Sequence, residues 1–216
     1  MDKETVKKIL EELKKSQKRN FKQTVDLIIV LKNLDLKKPE EQVDFFQQLH
    51  FSPGREIKLC ALVGPELGSQ AKECFDTVVI SDDFLRYAKD KKMLKKLANE
   101  HDFFVAQATI MPQVAATFGR VLGPRGKMPN PKAGCVVPPN ANLKILASKL
   151  KTTVRVSAKT APMIQMIVGK EDFKEEEVID NVLTIVDSVV HHLPAGKNNI
   201  KRVLLKLTMS KPIKIE

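Results

Sequence analysis

Apolar residues at both ends of the chain follow the spacings of long, two-faced elements. Stripes at helical spacing predict surface helices over residues 3–15 and 175–193. Alternation of apolar and polar residues predicts strands in the same two regions. These strands are expected over residues 21–32, 43–51, 154–156, 163–168 and 200–209. Each chain end therefore supplies long strands and one amphipathic helix.

The middle of the chain has shorter, nearly continuous apolar runs. Residues 57–63, 77–80 and 103–106 have the length and composition of buried parallel strands. Helical patterns are expected at 66–74, 82–88, 91–99, 111–118 and 143–150. Strand and helix alternate here, which is typical of a small α/β domain with a mainly parallel sheet. The contrast with the chain ends suggests one domain inserted within another.

Acidic residues are absent from a long stretch of the chain. Residues 103–170 contain ten Lys and Arg and no Asp or Glu, whereas the rest carries 27 cations and 26 acids. Ten of the eleven net positive charges therefore come from this stretch. A concentrated positive field favours a polyanionic partner, above all nucleic acid. The alternative is a basic protein whose field is incidental.

Part of this stretch has the composition of a shaped loop. Residues 119–134 hold four Gly, three Pro and four cations, and we predict neither helix nor strand through them. Gly permits backbone angles closed to other residues, whereas Pro fixes φ. A long cationic loop of this kind in a compact chain is usually functional. We call residues 119–134 the cationic segment.

Several classes of function have little support in the sequence. No apolar run reaches the roughly 20 residues that span a bilayer, and the charged N-terminus is unlike a signal peptide. Three widely spaced Cys fit free thiols in a reducing cytoplasm. The chain has no P-loop, GxGxxG or HExxH motif, and its His residues lack zinc-ligand spacing. Residues 64–68 follow a predicted strand and precede a predicted helix, where a phosphate can bind, but a plain βα turn is favoured. We expect no metal, no cofactor and no enzymatic activity.

The cationic segment carries a specific resemblance. Its residues 120–134 read RVLGPRGKMPNPKAG and closely resemble the signature of the ribosomal protein L-one family, found on the large-subunit stalk. Residues 19–26, RNFKQTVD, are similar to the first strand of that family, and residues 207–209 to its last strand. Residues 168–170 and Asn181 fit its C-terminal region. The resemblance covers essentially the whole chain and is closest to the archaeal branch.

The resemblance implies an α/β fold with two domains. A split α/β domain is expected from residues 1–53 plus 153–216, with an inserted Rossmann-like α/β domain over 54–152. The implied function is that of a structural constituent of the large ribosomal subunit that binds its rRNA near the tRNA exit site. Implied partners are this rRNA, tRNA at the exit site and the chain's own mRNA, whose translation it would repress. The chain would be cytoplasmic and ribosome-bound, and monomeric when free. The competing hypotheses are an enzyme acting on a phosphorylated small molecule and a general RNA chaperone.

The resemblance also implies where RNA binds, mainly on the split domain. The expected first-strand contacts are Arg19, Phe21, Lys22, Thr24 and Asp26. The expected last-strand contacts are Lys206, Thr208, Met209 and Ser210. A turn is expected to add Lys159 and Thr160. Secondary phosphate contacts are expected from Arg120, Arg125, Lys127 and Lys132, although a purely structural role of the cationic segment is an equal alternative.

Physical chemistry alone leaves some of these positions open. Lys and Thr side chains on two strands can donate to phosphates and 2′-hydroxyls. Phe21 and Met209, taken without the resemblance, would more often be core residues. Phosphate repels Asp26, which is expected to orient a cation or to accept from a sugar or base, with a solvated strand residue as the alternative. Ser210 replaces the family's usual Gly and would either obstruct RNA or add a hydroxyl contact.

Overall fold

The computed structural model describes residues 2–15 and 19–215 and divides into two compact units. The first unit contains Met1–Arg55 and Thr152–Glu216, and the second contains Glu56–Lys151. The crossings expected at 53–54 and 152–153 lie within two residues of these limits. The α/β fold class with a split and an inserted unit is confirmed.

The elements of the first unit are α1 (Lys3–Lys15), β1 (Thr24–Leu31), β2 (Val43–Gln48), β7 (Thr153–Ala158), β8 (Met163–Lys170), α7 (Glu175–His192), β9 (Ile200–Leu207) and β10 (Ile213–Lys214). The elements of the second unit are β3 (Leu59–Val63), α2 (Pro65–Cys74), β4 (Thr77–Ile80), α3 (Phe84–Lys89), α4 (Lys91–Glu100), β5 (Phe103–Gln107), α5 (Met111–Leu122), β6 (Val136–Val137) and α6 (Leu143–Lys151).

The first unit is built on a four-stranded antiparallel sheet in the order β10-β9-β1-β8, beside a ribbon of β2 and β7. Alternate residues of β1 are buried, and they join the apolar stripes of α1 and α7 in one core. The other face of β1 carries Thr24, Asp26 and Ile28, which are only partly covered. The period-2 pattern of β1 thus decides which side chains remain available.

The second unit is built on a parallel sheet in the order β4-β3-β5-β6. All five residues of β3 are buried, as expected for a central parallel strand covered on both faces. Cys60 lies on β3, and Cys135 is also buried. Burial raises the pKa of the Cys60 thiol to about 12 and that of Cys135 to about 11, so both thiols are core groups and not reactive thiolates.

The chain leaves the first unit through a segment that is tightly held within that unit. Asn181 of α7 is fully buried, accepts from the Phe51 amide at 3.3 Å and donates to the Val168 carbonyl at 3.0 Å. Gly54 has a φ of +81°, and a Cβ there would lie 2.9 Å from Cγ of Lys170. Only glycine therefore fits this turn without strain.

Several boundaries predicted from the sequence were wrong. Strand β1 starts at Thr24 and not at residue 21, and β2 ends at Gln48 and not at residue 51. Two further differences affect the regions expected to bind RNA. Helix α5 extends to Leu122, so the first four residues of the cationic segment are helical; Val114, Phe118 and Leu122 form one buried stripe at i, i+4 and i+8. The high Gly content of the segment obscured this spacing. Strand β9 ends at Leu207, two residues earlier than expected, because residues 207–210 form a turn.

Candidate RNA interface

Three strand ends meet at one edge of the sheet in the first unit. β1 starts there, and β8 and β9 end there, since Thr24 pairs with Lys170 and Val25 pairs with Leu207. Nine of the eleven residues expected as main RNA contacts lie at or beside this edge. We call residues 19–26, 170–172 and 206–211 the strand-end surface.

Two threonines join β1 to the end of β9. The Thr208 hydroxyl accepts from the Thr24 amide at 3.1 Å, and the two hydroxyl oxygens are 2.9 Å apart. The Thr208 amide in turn donates to the Thr24 carbonyl at 3.1 Å. These bonds fix both side chains at the surface of the sheet, and each hydroxyl oxygen can still form a bond to a ligand.

Gln23 holds the next part of this surface and was missed from the sequence. Its side chain is only 2% exposed, and its Oε1 accepts from the Met209 amide at 3.1 Å. The Gln23 backbone amide donates to the Glu171 carboxylate at 3.3 Å, and the Gln23 backbone carbonyl accepts from the Glu171 backbone amide at 2.9 Å. The available signal was a polar residue in register with the buried stripe of β1.

Ser210 closes the turn that displays Met209. The Ser210 amide donates to the Leu207 carbonyl at 3.1 Å, and the Ser210 Oγ accepts from the Leu207 amide at 2.8 Å. The Oγ also lies 3.2 Å from the carbonyl oxygen of Lys211. The hydroxyl is thus engaged within the turn itself, which satisfies backbone groups at the end of β9.

Two large apolar side chains stand out from this edge. Phe21 is 52% exposed and Met209 is 60% exposed. The alternative that they are core residues is therefore wrong. Exposed large apolar groups beside fixed polar groups are typical of a binding surface, because they offer apolar contact area that water does not favour.

The charges at this edge come in close pairs. Lys22 lies 2.6 Å from Asp172, and this hydrogen bond raises the pKa of Lys22 and lowers the pKa of Asp172. Asp26 faces Lys206 across the β1–β9 ladder. Burial raises the pKa of Asp26, while Lys206 and a hydrogen bond with Gln165 act in the opposite direction. Asp26 thus sits beside a cation, as expected, and Asp172 was missed from the sequence.

Lys159 and Thr160 lie at the far end of β1. Their turn precedes β8, and the neighbouring Pro162 carbonyl accepts from the Leu31 amide at 2.8 Å. The length of β1 places this turn about 23 Å from the strand-end surface. Lys159 is also paired with Asp44 at 2.7 Å. The structure therefore does not bring these two residues to the other expected contacts.

Asp44 is held by two cations at once. Arg155 donates to both of its oxygens, at 2.9 and 3.2 Å, beside the Lys159 contact. Burial acts to raise the pKa of Asp44, but the hydrogen bonds and charges of Arg155 and Lys159 outweigh it, and the pKa lies below its ordinary value. This cluster ties β2 to β7.

The four cations of the cationic segment have unlike surroundings. Arg120, Arg125 and Lys132 are exposed. The Lys127 ammonium instead donates to the carbonyls of Ala98 and His101, at 2.9 and 2.6 Å, which end helix α4. A cation at a helix C-terminus satisfies the last carbonyls and complements the helix dipole. Lys127 therefore has a clear structural role.

Comparison with known protein families identifies the family to which the chain belongs. The model of the Ribosomal protein L1p/L10e family matches residues 13–211, which include the strand-end surface and the cationic segment. The chain belongs to this family.

It is 42% identical over 217 residues to the large ribosomal subunit protein uL1 of Methanothermococcus thermolithotrophicus, with 100% of both chains covered. The uL1 protein of Methanobrevibacter smithii is 38% identical over 216 residues, again with both chains fully covered. That of Nanoarchaeum equitans is 40% identical over 206 residues, covering 94% of this chain and 95% of the relative.

Membership of the L1p/L10e family makes the chain a non-catalytic protein. At the turn over residues 64–68, the Gly64 amide donates to the buried Gln107 side chain at 2.9 Å and is therefore already engaged within the protein. Among residues 2–15 and 19–215, no group of three His, Cys, Asp or Glu side chains is placed to hold a metal ion. No helix in the same residues is both long and apolar enough to cross a membrane.

Proposed function

We propose that the chain is a structural protein of the large ribosomal subunit that binds large-subunit rRNA through its strand-end surface. The observation that carries this proposal is the fixed group of Gln23, Thr24, Thr208 and Met209, joined by hydrogen bonds between the start of β1 and the end of β9. Family membership over most of the chain supports the ribosomal role. The chain would be cytoplasmic and bound to the ribosome.

The chemistry of this surface suits RNA recognised by shape. Thr hydroxyls and nearby cations can bond to phosphates and to the 2′-hydroxyls that distinguish RNA from DNA. Phe21 and Met209 offer apolar area to an unstacked base or a sugar. Because the backbone under these groups is already hydrogen-bonded, little conformational freedom would be lost on binding.

Exposed cations of the second unit supply a separate, weaker contribution in this proposal. Arg120, Arg125 and Lys132 would contact phosphates through counterion release, which depends on salt and not on RNA sequence. Lys127 was predicted to join them, but its ammonium is already engaged by two carbonyls. The secondary phosphate contacts are therefore expected from Arg120, Arg125 and Lys132 only.

A competition gel shift tests the rRNA proposal. The full chain is mixed with a labelled fragment of large-subunit stalk rRNA, and unlabelled competitors of equal length are added at fixed salt. We expect the stalk fragment to compete at least about a hundredfold better than an unrelated RNA. Equal competition by both RNAs would contradict specific binding and would instead favour a general RNA chaperone.

The finer roles are extensions of the same proposal. The chain would lie near the tRNA exit site and contact tRNA there, would be monomeric when free, and would repress its own mRNA by binding a mimic of the rRNA site. A translation assay tests repression: adding the chain should lower synthesis from its own mRNA and leave an unrelated mRNA unaffected. Excess stalk RNA should restore synthesis, and equal inhibition of both mRNAs would contradict this role.

A further inference from the structure

A cleft of about 360 Å³ opens beside the strand-end surface, within the first unit. It lies between α1, the residues before β1 and the segment after β9. Its walls include Glu12, Arg19, Gln23, Met209, Lys211 and Ile213. Its volume is at the lower end of the roughly 300–1,000 Å³ of small-molecule sites, so a single nucleotide fits where a duplex does not.

The buried amide of Gln23 supplies a directed donor in this cleft. Its Oε1 is used by the Met209 amide, whereas its Nε2 makes no hydrogen bond to any residue in 2–15 or 19–215. Within those residues, every buried polar side-chain atom that is fully enclosed has a partner. The Gln23 Nε2 therefore reaches open space, and the cleft is the space that Gln23 lines. This donor is open to the cleft, so it can bond to an acceptor on a ligand that enters the cleft.

The remaining walls match the other parts of a nucleotide. Met209, which is 60% exposed, and Ile213 provide apolar area for a base. Arg19 and Lys211 are exposed cations at the same cleft, whereas Glu12 is the one acid among the wall residues named above. The positive charge of the two cations outweighs the negative charge of the carboxylate and therefore favours a phosphate. The donor, the apolar walls and the cations therefore occur together in one cavity.

We propose that this cleft takes one unpaired nucleotide of the bound RNA. The base lies against Met209 and Ile213, its keto oxygen accepts from the Gln23 Nε2, and its phosphate lies near Arg19 and Lys211. The inference rests on the proposed RNA-binding function and adds base selection to it. Uracil and guanine present a keto oxygen where cytosine and adenine present an amino group, so the cleft selects uracil or guanine.

The test is an abasic scan of the stalk rRNA fragment against the full chain and its Gln23→Glu variant at pH 8. Glutamate keeps an oxygen for the Met209 amide, replaces the Nε2 donor by an acceptor oxygen and adds one negative charge. The charge should weaken binding of every RNA alike, so the readout is the difference between intact and abasic RNA. For the native chain, removing the base at one unpaired position should weaken binding about tenfold, which corresponds to one contact of ordinary stacking strength. The same abasic RNA should bind Gln23→Glu no more weakly than the intact RNA does. Placing cytosine or adenine at that position should partly restore binding to the variant.

A second pair of variants keeps the inference testable if Gln23→Glu unfolds. Ile213→Ala, which shortens the wall proposed to hold the base, should reduce the effect of that abasic position, whereas Lys214→Ala, on β10 and outside the cleft walls, should retain it. If the native chain binds the stalk RNA specifically and no unpaired position couples to Gln23 or Ile213, the cleft inference is overturned and the proposed function stands. If the native chain shows no specific binding, the proposed function itself fails.

Discussion

The strand-end surface of the first unit and the cationic segment of the second unit both expose polar groups, but these groups are held in different ways. At the strand ends, Thr24, Thr208 and Met209 are fixed by hydrogen bonds between segments far apart in the sequence. In the cationic segment, Arg120 and Lys132 are exposed, and Lys127 is committed to a helix end. Specific recognition requires groups in fixed positions, whereas a field requires only charge. The two regions therefore differ in what they can contribute to RNA binding.

Positive charge can contribute to RNA binding in two ways, as a long-range field or as fixed pairs at a surface. The acid-free stretch favours a polyanionic partner, because its field acts over a Debye length regardless of exact geometry. The strand-end surface carries acids among its cations, as the Lys22–Asp172 and Asp26–Lys206 pairs illustrate. Its specificity would come from shape, hydroxyls and apolar contacts. The concentration of charge therefore does not by itself locate the proposed main interface.

The largest expected effect concerns the structural role of Lys127. Lys127→Met should lower the free energy of unfolding by about 2 kcal/mol, because two carbonyls at the end of α4 lose a charged donor. Thermal and urea unfolding of the full chain would measure this loss. Lys132→Met, at an exposed position of the same segment, is the control and should change it by less than about 0.5 kcal/mol. Equal stability of both variants would mean that the contacts of Lys127 with the end of α4 do not stabilise the fold.

The next effect concerns the fixed threonine pair. Thr208→Val removes the hydroxyl that accepts from the Thr24 amide and should weaken specific RNA binding about tenfold, or about 1.4 kcal/mol. Met209→Ala should have a similar effect through lost apolar contact. The matched control is Thr160→Val at the far end of β1, for which we expect a change of at most about twofold. A loss as large for Thr160→Val as for Thr208→Val would extend the interface along the whole strand.

A smaller effect concerns the pH dependence of the Asp44 cluster, which holds Lys159. Because the pKa of Asp44 is lowered in the folded chain, its contribution is present above the ordinary value of 3.8 and is lost as the pH falls through the folded pKa. Because solvent screens this partly exposed cluster, Asp44→Asn should cost about 0.5–1 kcal/mol at pH 7 and almost nothing well below pH 3.8. Unfolding measured across pH checks this. Asp187→Asn, an exposed change on α7, should show no such convergence.

The smallest effect concerns the ion pair at the strand-end surface. Asp172→Asn releases Lys22 and removes one negative charge, so RNA affinity at low salt should rise about two- to threefold. The gain should shrink as salt is added. A loss of affinity would instead mean that Asp172 holds Lys22 in its productive position, which would strengthen the view that this surface works through fixed geometry.

The fold was largely predictable because its signals are local. Periodicity identified β1, α7 and the alternating elements of the inserted unit, and the parallel sheet is confirmed. The site was less predictable because its bonds join distant segments: Gln23 contacts Met209 from 186 positions away, and Lys22 contacts Asp172 from 150. No local pattern contains such pairs. The resemblance supplied the expected contact residues, but only the structure separates Thr160 from Thr208 and Lys127 from the exposed cations.

The most direct test of this account is photo-cross-linking of the full chain to the stalk rRNA fragment, followed by mass spectrometry of the linked peptides. We expect the main cross-links at residues 19–26 and 206–211, with Phe21 and Met209 foremost because their side chains are the most exposed apolar groups of the strand-end surface. Weaker, salt-sensitive links are expected at Arg120, Arg125 or Lys132. Cross-links confined to the cationic segment, with none at the strand ends, would contradict the account.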